Sequence, residues 1–440
     1  MRTPMSRAHR TAVSTATDPA PQPMAADDPF FSTGRSWRWQ DLAWRLYERT
    51  PVVLEDAAKR CMPYILLCST VRMPVAILRG RARHSGKPAT MVVAGARPWA
   101  DYLPYRFFAG APDREVIAHV RAWALPSLLR WLAHSADITI VHVNRLSAAL
   151  YFGQDYLVVP GGAGCRLPLP VDIKELGRAS KSVKHDLQAI RRERLVSEIS
   201  YSESDFELFY YTMHVPYVRK RHGEFAVALN IHQLRRIFYR GGILWVRRAE
   251  QRIAGILFAQ RNNTFHAVSL GTANGDLELR KDGALAALYV SSIECAIDQG
   301  CTSLNFGGSP PVLNDGVLRY KRKWGVELGA SQDPYDYVIL WKTPNERVME
   351  FLSHVPLVFR GRNGLSGVTT IEPDHEDSAA QLSTIHRALW VPGLQHLVVV
   401  TTSDREGDHR STSGPLVALS PRHCVPHAIH AATREEFHHA

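Results

Sequence analysis

The sequence has little of what marks a disulfide framework, a metal centre or a membrane span. Its six cysteines (Cys61, Cys68, Cys165, Cys295, Cys301, Cys424) fall singly. None forms a C-x-x-C pair and none is spaced with histidine as zinc ligands are, so no metal is expected. Such usage fits buried free thiols in a reducing compartment. Long apolar runs are missing too. The most apolar stretch begins at Tyr64, is interrupted by Arg72 and Pro74, and is shorter than the roughly 20 apolar residues of a spanning helix. The first thirty residues carry Arg2, Arg7 and Arg10 but no apolar core, which argues against a secretory signal. The expectation is a cytoplasmic protein without an integral membrane segment, with peripheral contact to a membrane surface left open. Neither a sustained heptad pattern nor a Ser/His/Asp or Cys/His order stands out.

What the sequence has is positive charge and ordinary globular composition. Its 440 residues are 45% hydrophobic and 22% charged, and 53 Lys or Arg outweigh 42 Asp or Glu. That length suggests roughly two or three domains. The formal charge of +11 attracts anions, whether phosphate-bearing cofactors, nucleic acid or acidic lipid. Residues 1–35, rich in Ala, Pro, Ser and Thr, read as disordered. The end from about 404 reads the same way, its histidines irregularly spaced as in a solvated tail. Between them the reading is α/β: a first domain over 36–170, a second over 171–345 and an appended segment over 346–403.

Two β-α-β units organise the middle. From Ala89 the order is strand, loop, a long amphipathic helix over about 113–134 divided at Pro126, then the strand ITIVHVN. The second unit has hairpin strands near 242–247 and 253–260, a strand at 264–271, a helix from about 283 and a strand at 303–306. Leu285, Leu288, Tyr289, Ile293, Ala296 and Ile297 give that helix one apolar face. Asp282 is placed to cap its start, and Gly300 stands where a left-handed C-terminal residue belongs.

Four segments carry candidate chemistry. In LELRKDGALAALY, a glycine at a helix start beside Arg280 and Lys281 suits either a phosphate or a plain surface cap. In NDGVLRYKRKWG, four basic residues accompany Tyr320 and Trp324, which pair at i, i+4. In LGRASKSVKHDLQAIRRERL, Val183, Leu187 and Ile190 make a narrow apolar stripe. Its basic residues, Lys181 and Lys184 among them, therefore decorate a surface helix, either solvated or anion-binding. In YYTMHVPYVRKRHG, Ser204 and Glu207 form a capping box for the helix leading in. Pro216 is expected to end or bend that helix, leaving Arg221 and His222 on a loop or turn. His222 suits proton acceptance from an amine or a structural role; Asp315, Ser309 and Asn305 are alternatives on the acceptor side.

VSLGTANG and RKDGALAALYVSSIECAIDQGCTSLNFGGSPPVLNDGVLRYKRKWGVEL are similar to the Fem-like branch of GNAT acyltransferases. The resemblance implies tandem GNAT-like domains, with mixed sheets flanked by helices. It implies a pyrophosphate loop at Arg280, Lys281, Gly283 and Ala284, degenerate because Leu285 replaces the last small residue, with Gly271 also on the cofactor side. It further implies an acid role for Tyr320 toward a leaving thiolate and a substrate-binding role for Lys321. The implied reaction is N-acyl transfer from acetyl-CoA or another acyl-CoA to an amine, held between the strands 264–271 and 303–306. A small-molecule or glycan-precursor acceptor is expected, in cell-envelope or polysaccharide metabolism. The alternatives are a Fem-type transferase using aminoacyl-tRNA and a non-catalytic anion-binding module.

Overall fold

A computed structural model describes residues 72–96, 99–153, 155–223, 229–331, 333–371, 378–401, 416–419 and 424–433, with isolated positions between 44 and 65. The expected disordered start lies outside the described residues. Strands numbered β1 to β17 in chain order form three sheets. The first contains β1 (Met73–Arg81), β2 (Pro88–Ala94), β3 (Asp113–Val120), β4 (Ile138–Asn144), β5 (Leu157–Pro160) and β13 (Tyr335–Leu340). Their spatial order is β3-β1-β2-β4-β13-β5. The second contains β6 (Ala163–Pro168), β7 (Leu195–Ser200), β8 (Gly241–Arg248), β9 (Gln251–Arg261), β10 (Thr264–Thr272), β11 (Ser303–Ser309) and β12 (Glu327–Gly329), in the order β12-β6-β11-β10-β9-β8-β7. The third joins β14 (Leu357–Arg360), β15 (Leu365–Ile371), β16 (Leu394–Thr401) and β17 (Leu416–Leu419). The fold is therefore α/β, with mixed sheets flanked by helices, as expected.

Sheet membership crosses the expected domain borders in both directions. β6, assigned to the first domain, inserts between β11 and β12 of the second sheet. β13, assigned to the second, inserts between β4 and β5 of the first. The segment over 346–403 forms most of the third sheet. The expected tail also contributes folded structure: β17 pairs with β16, and a helix at Pro426–Ala432 follows. Cys424 and Ile429 are fully buried there, and the Trp341 indole donates to the Cys424 carbonyl at 2.6 Å. Elements of four and seven residues are too short to show a period.

Two helix readings change. Residues 113–120 form an edge strand against β1, and the helix occupies only Leu125–Leu132. Pro126 sits in its first turn, where a missing N–H costs nothing. Likewise Pro216 does not break its helix. A π-turn at Phe209–His214 precedes it, and Pro216 lies in the first turn of Val215–His222, so Arg221 is helical. The Ser204–Glu207 box is not formed; Ser202 is the N-cap, and its hydroxyl pairs with the Ser204 hydroxyl at 2.7 Å and not with a backbone N–H of the helix. A complete capping box occurs instead at Asn230 and Gln233.

The β10–helix–β11 crossover positions the site. The helix Ala284–Asp298 buries Leu285, Leu288, Tyr289, Ile293 and Ala296, whereas Ile297 is 36% exposed. Gly283, not Asp282, is its N-cap; Asp282 pairs with Arg248 at 2.7 Å. Gly300 has φ +68°, the left-handed conformation expected after the helix.

Candidate functional site: a cleft where two strands part

β10 and β11 run parallel only through Thr264–Ser303, Phe265–Leu304 and His266–Asn305, and then separate. Each strand departs from regular pairing at that point. On β10 the register against β9 shifts between Ala267 and Ser269, so Val268 is a bulge residue with no opposite on β9. On β11 the register against β6 shifts between Asn305 and Gly308, and Gly307 has φ +73°. A bulge bends its strand, so the two irregularities open a wedge in the sheet. Clefts of about 340 and 560 Å³ lie on its two sides and share Ala267, Val268, Gly307, Gly308 and Pro310.

The smaller cleft is apolar at its centre, with Leu285, Tyr289, Phe306 and Tyr320, and carries the cations Arg221, Arg280 and Lys321. Arg221 donates to the Tyr217 hydroxyl at 3.2 Å. Tyr320 packs edge-on against Tyr289 at 5.2 Å between ring centroids, and the Lys323 ammonium lies 3.9 Å from its ring centre. Burial, then the charge of Asp186, pushes the Tyr320 pKa well up, so the phenol keeps its proton. Lys321 is 5% exposed and donates to the carbonyls of Gly308 (2.8 Å) and Gly307 (3.3 Å). Its ammonium braces the turn that parts β11 from β10, and burial lowers its pKa.

The expected phosphate loop reaches this cleft only in part. Arg280 and Leu285 line it; Lys281 pairs with Glu278 at 2.5 Å in solvent. Gly283 adopts φ +86°, and a Cβ there would meet the Ala189 Cβ at 3.1 Å. This glycine therefore serves the turn and the close approach of the Lys181–Arg192 helix. Ala284 is buried in the core beside it. Gly271 is likewise structural: a Cβ would come within 2.5 Å of the Met213 backbone, in the π-turn. Lys181 and Lys184 are exposed on their helix and line neither cleft.

The larger cleft lies between the first and second sheets. Asn305 and Ser309 line it, together with His266, Asp333, Tyr102 and Tyr337. The Asn305 carbonyl accepts from Gly307 N–H at 2.8 Å, which turns its amide toward His266 Nδ1 at 3.4 Å. Burial, then Arg261, lowers the His266 pKa, which favours the neutral ring. Ser309 is buried 3.3 Å from Cys165 Sγ. Asp315 is not available as a base. One carboxylate oxygen caps the Gly316–Arg322 helix through Val317 N–H (2.8 Å), and the other pairs with Arg106 at 3.1 Å. Burial and the Asp315 charge push Tyr102 up to about 12. His222 ends its helix, and its side chain lies outside the described residues.

His266, Asp333 and Val268 were not singled out in the sequence. His266 sits in FHAVSLG, where strand alternation gives no signal, and Asp333 belongs to a loop contributed by a distant segment. The five described cysteines are free. No group of His, Cys, Asp or Glu among the described residues is arranged to hold a metal. None of the described helices is long and apolar enough to cross a membrane.

No protein-family model matches this chain, and no curated protein matches it. Among solved structures, it is similar to L-PGS from Bacillus licheniformis, at 15% identity over 54% of this chain and 79% of that one, TM-score 0.31. FemX is similar at 13% identity over 63% and 90%, TM-score 0.33. A GCN5-related N-acetyltransferase from Kribbella flavida is similar at 10% identity over 87% and 84%, TM-score 0.26.

Proposed function

We propose that the chain is an acyltransferase that moves an acyl group from acyl-CoA, acetyl-CoA included, to an amine across the β10–β11 wedge. One observation carries the reading: two clefts of different electrostatic character meet at the strand opening, with Arg221, Arg280 and Lys321 on one side and no lysine or arginine among the described residues lining the other. The cationic cleft suits the phosphates of a donor, and its apolar centre suits the pantetheine arm and acyl chain. At the junction, the N–H of the bulge residue Val268 is the candidate for polarising the thioester carbonyl.

The amine nitrogen attacks that carbonyl from the larger cleft. The N–C bond forms, the C–S bond breaks, and Tyr320 gives its proton to the departing sulfur; the amine's proton leaves to solvent, which returns one to Tyr320. No covalent enzyme intermediate is required. Positioning both reactants in one wedge supplies much of the rate.

Calorimetric titration of the full chain with acetyl-CoA and CoA tests the donor. Binding is expected, with at least a tenfold loss in Arg280→Ala and in Arg221→Ala, the order of loss for removing a charge-assisted phosphate contact. Absence of binding, or equal affinity in both variants, would remove acyl-CoA from the proposal. Titration with aminoacyl-tRNA provides the competing arm.

A further inference from the structure

The larger cleft has the opposite polarity to the donor cleft. Among the described residues that line it, Asp333 is the single charged group, and no lysine or arginine joins it. Asp333 is set by its loop: its backbone N–H donates to Ser331 Oγ at 3.0 Å, and its own Oδ1 accepts from Tyr335 N–H at 3.0 Å. Oδ2 accepts no hydrogen bond from the described residues. Gly161 runs close beside it, and a Cβ there would lie 2.9 Å from Oδ2, so a side chain at that position would crowd the carboxylate. Tyr102 and Tyr337 line the same cleft as the carboxylate. A carboxylate beside aromatic faces is a setting for an ammonium ion.

We infer that the acceptor is an amine carrying a second positive charge, anchored at Asp333 in a cleft that Tyr102 and Tyr337 also line, and that phosphate- or carboxylate-bearing acceptors are disfavoured. This rests on the proposed transferase reading for the role of the cleft, but the charge preference itself depends only on the residues lining it. An anionic acceptor would meet Asp333, while the cation that acts on this carboxylate, Arg145, is held by the Ser331 and Asp333 backbone carbonyls at 3.3 and 2.7 Å and does not line the cleft. A cationic one gives the free oxygen a partner and leaves its reacting nitrogen able to extend toward the wedge. The overall positive charge of the chain would not predict this preference; the cleft departs from it locally.

The test uses the full chain and two probes of similar length, spermidine and 6-aminohexanoate, titrated separately by calorimetry. Spermidine is expected to bind at least tenfold more tightly and to weaken with added salt. Asp333→Asn keeps a carbonyl acceptor for Tyr335 N–H, and should erase the preference while CoA affinity is unchanged. Equal binding, tighter binding of the carboxylate, or no binding of either probe would overturn the inference. If Asp333→Asn does not fold, the salt dependence and probe preference of the unaltered chain decide alone. A chain that prefers spermidine but ignores CoA keeps this inference and loses the acyl-CoA donor. A chain that binds CoA but shows no preference does the reverse.

Discussion

Tyr320 and Lys321 are adjacent in sequence and face the same cleft, yet their environments assign them different work. The lysine's ammonium is held by two backbone carbonyls, so it positions the turn of β11 and has little freedom to follow a substrate. The tyrosine's raised pKa keeps a proton available at neutral pH beside the apolar centre of the cleft. Tyr320→Phe removes that proton and preserves the ring contacts with Tyr289 and Lys323. With acetyl-CoA and an accepted amine, kcat should fall by about a hundredfold or more, the effect of losing a general acid, while CoA affinity stays nearly constant. Unchanged turnover would make Tyr320 a packing residue. At this scale the sequence pointed to Tyr320, Arg221 and Arg280, which the structure brings to one cleft. It was uninformative at Asp333 and His266, whose significance arises only when distant segments meet. Asp315, a buried carboxylate at a helix start, is occupied as a cap and an ion-pair partner, which its sequence neighbours do not reveal.

The elements that shape the wedge explain why several glycines looked like ligand contacts. Gly271 and Gly283 are required by the neighbouring backbone and helix whether or not a phosphate is bound. Gly283→Val imposes a left-handed backbone on a β-branched residue and pushes into the Lys181–Arg192 helix. The expected cost is about 1–3 kcal/mol of stability from strain alone, with further loss from the contact. Denaturant titration without any ligand checks this. A variant as stable as the parent but unable to bind CoA would restore the phosphate-loop role. The hairpin β8–β9, the strand β10 and the crossover helix were legible because each has a full period of apolar residues and a recognisable turn or cap. The span 113–134 was misread because β3 is a half-exposed edge strand. Its exposed Val116 and Ile117 blur the two-residue alternation, and the helical turns that follow extend the apparent period.

At the scale of the molecule, the exchange of β6 and β13 ties the two large sheets together. Each strand lies between two partners of a sheet whose other members come mostly from the far side of the chain. The Arg106–Asp315 pair adds a second tie beside the larger cleft, and side chains from both sheets line that cleft. A sequence cut at the apparent border near residue 170 therefore separates β6 from the sheet it completes. Residues 171–345, expressed alone, would lack β6 and leave the β11 edge open along Ser303–Asn305 and Gly308–Ser309. They would also carry β13 without its partners β4 and β5. An unpaired edge together with a stranded apolar strand favours aggregation over a packed core. This fragment should be insoluble, or compact without fixed packing, with dye-accessible apolar surface and no near-ultraviolet dichroism. The full chain should show a near-ultraviolet signal that is lost in one transition involving both sheets. A soluble 171–345 fragment that unfolds cooperatively and binds CoA with the affinity of the full chain would mean that the exchanged strands are ornamental, and that the wedge is complete within the second sheet.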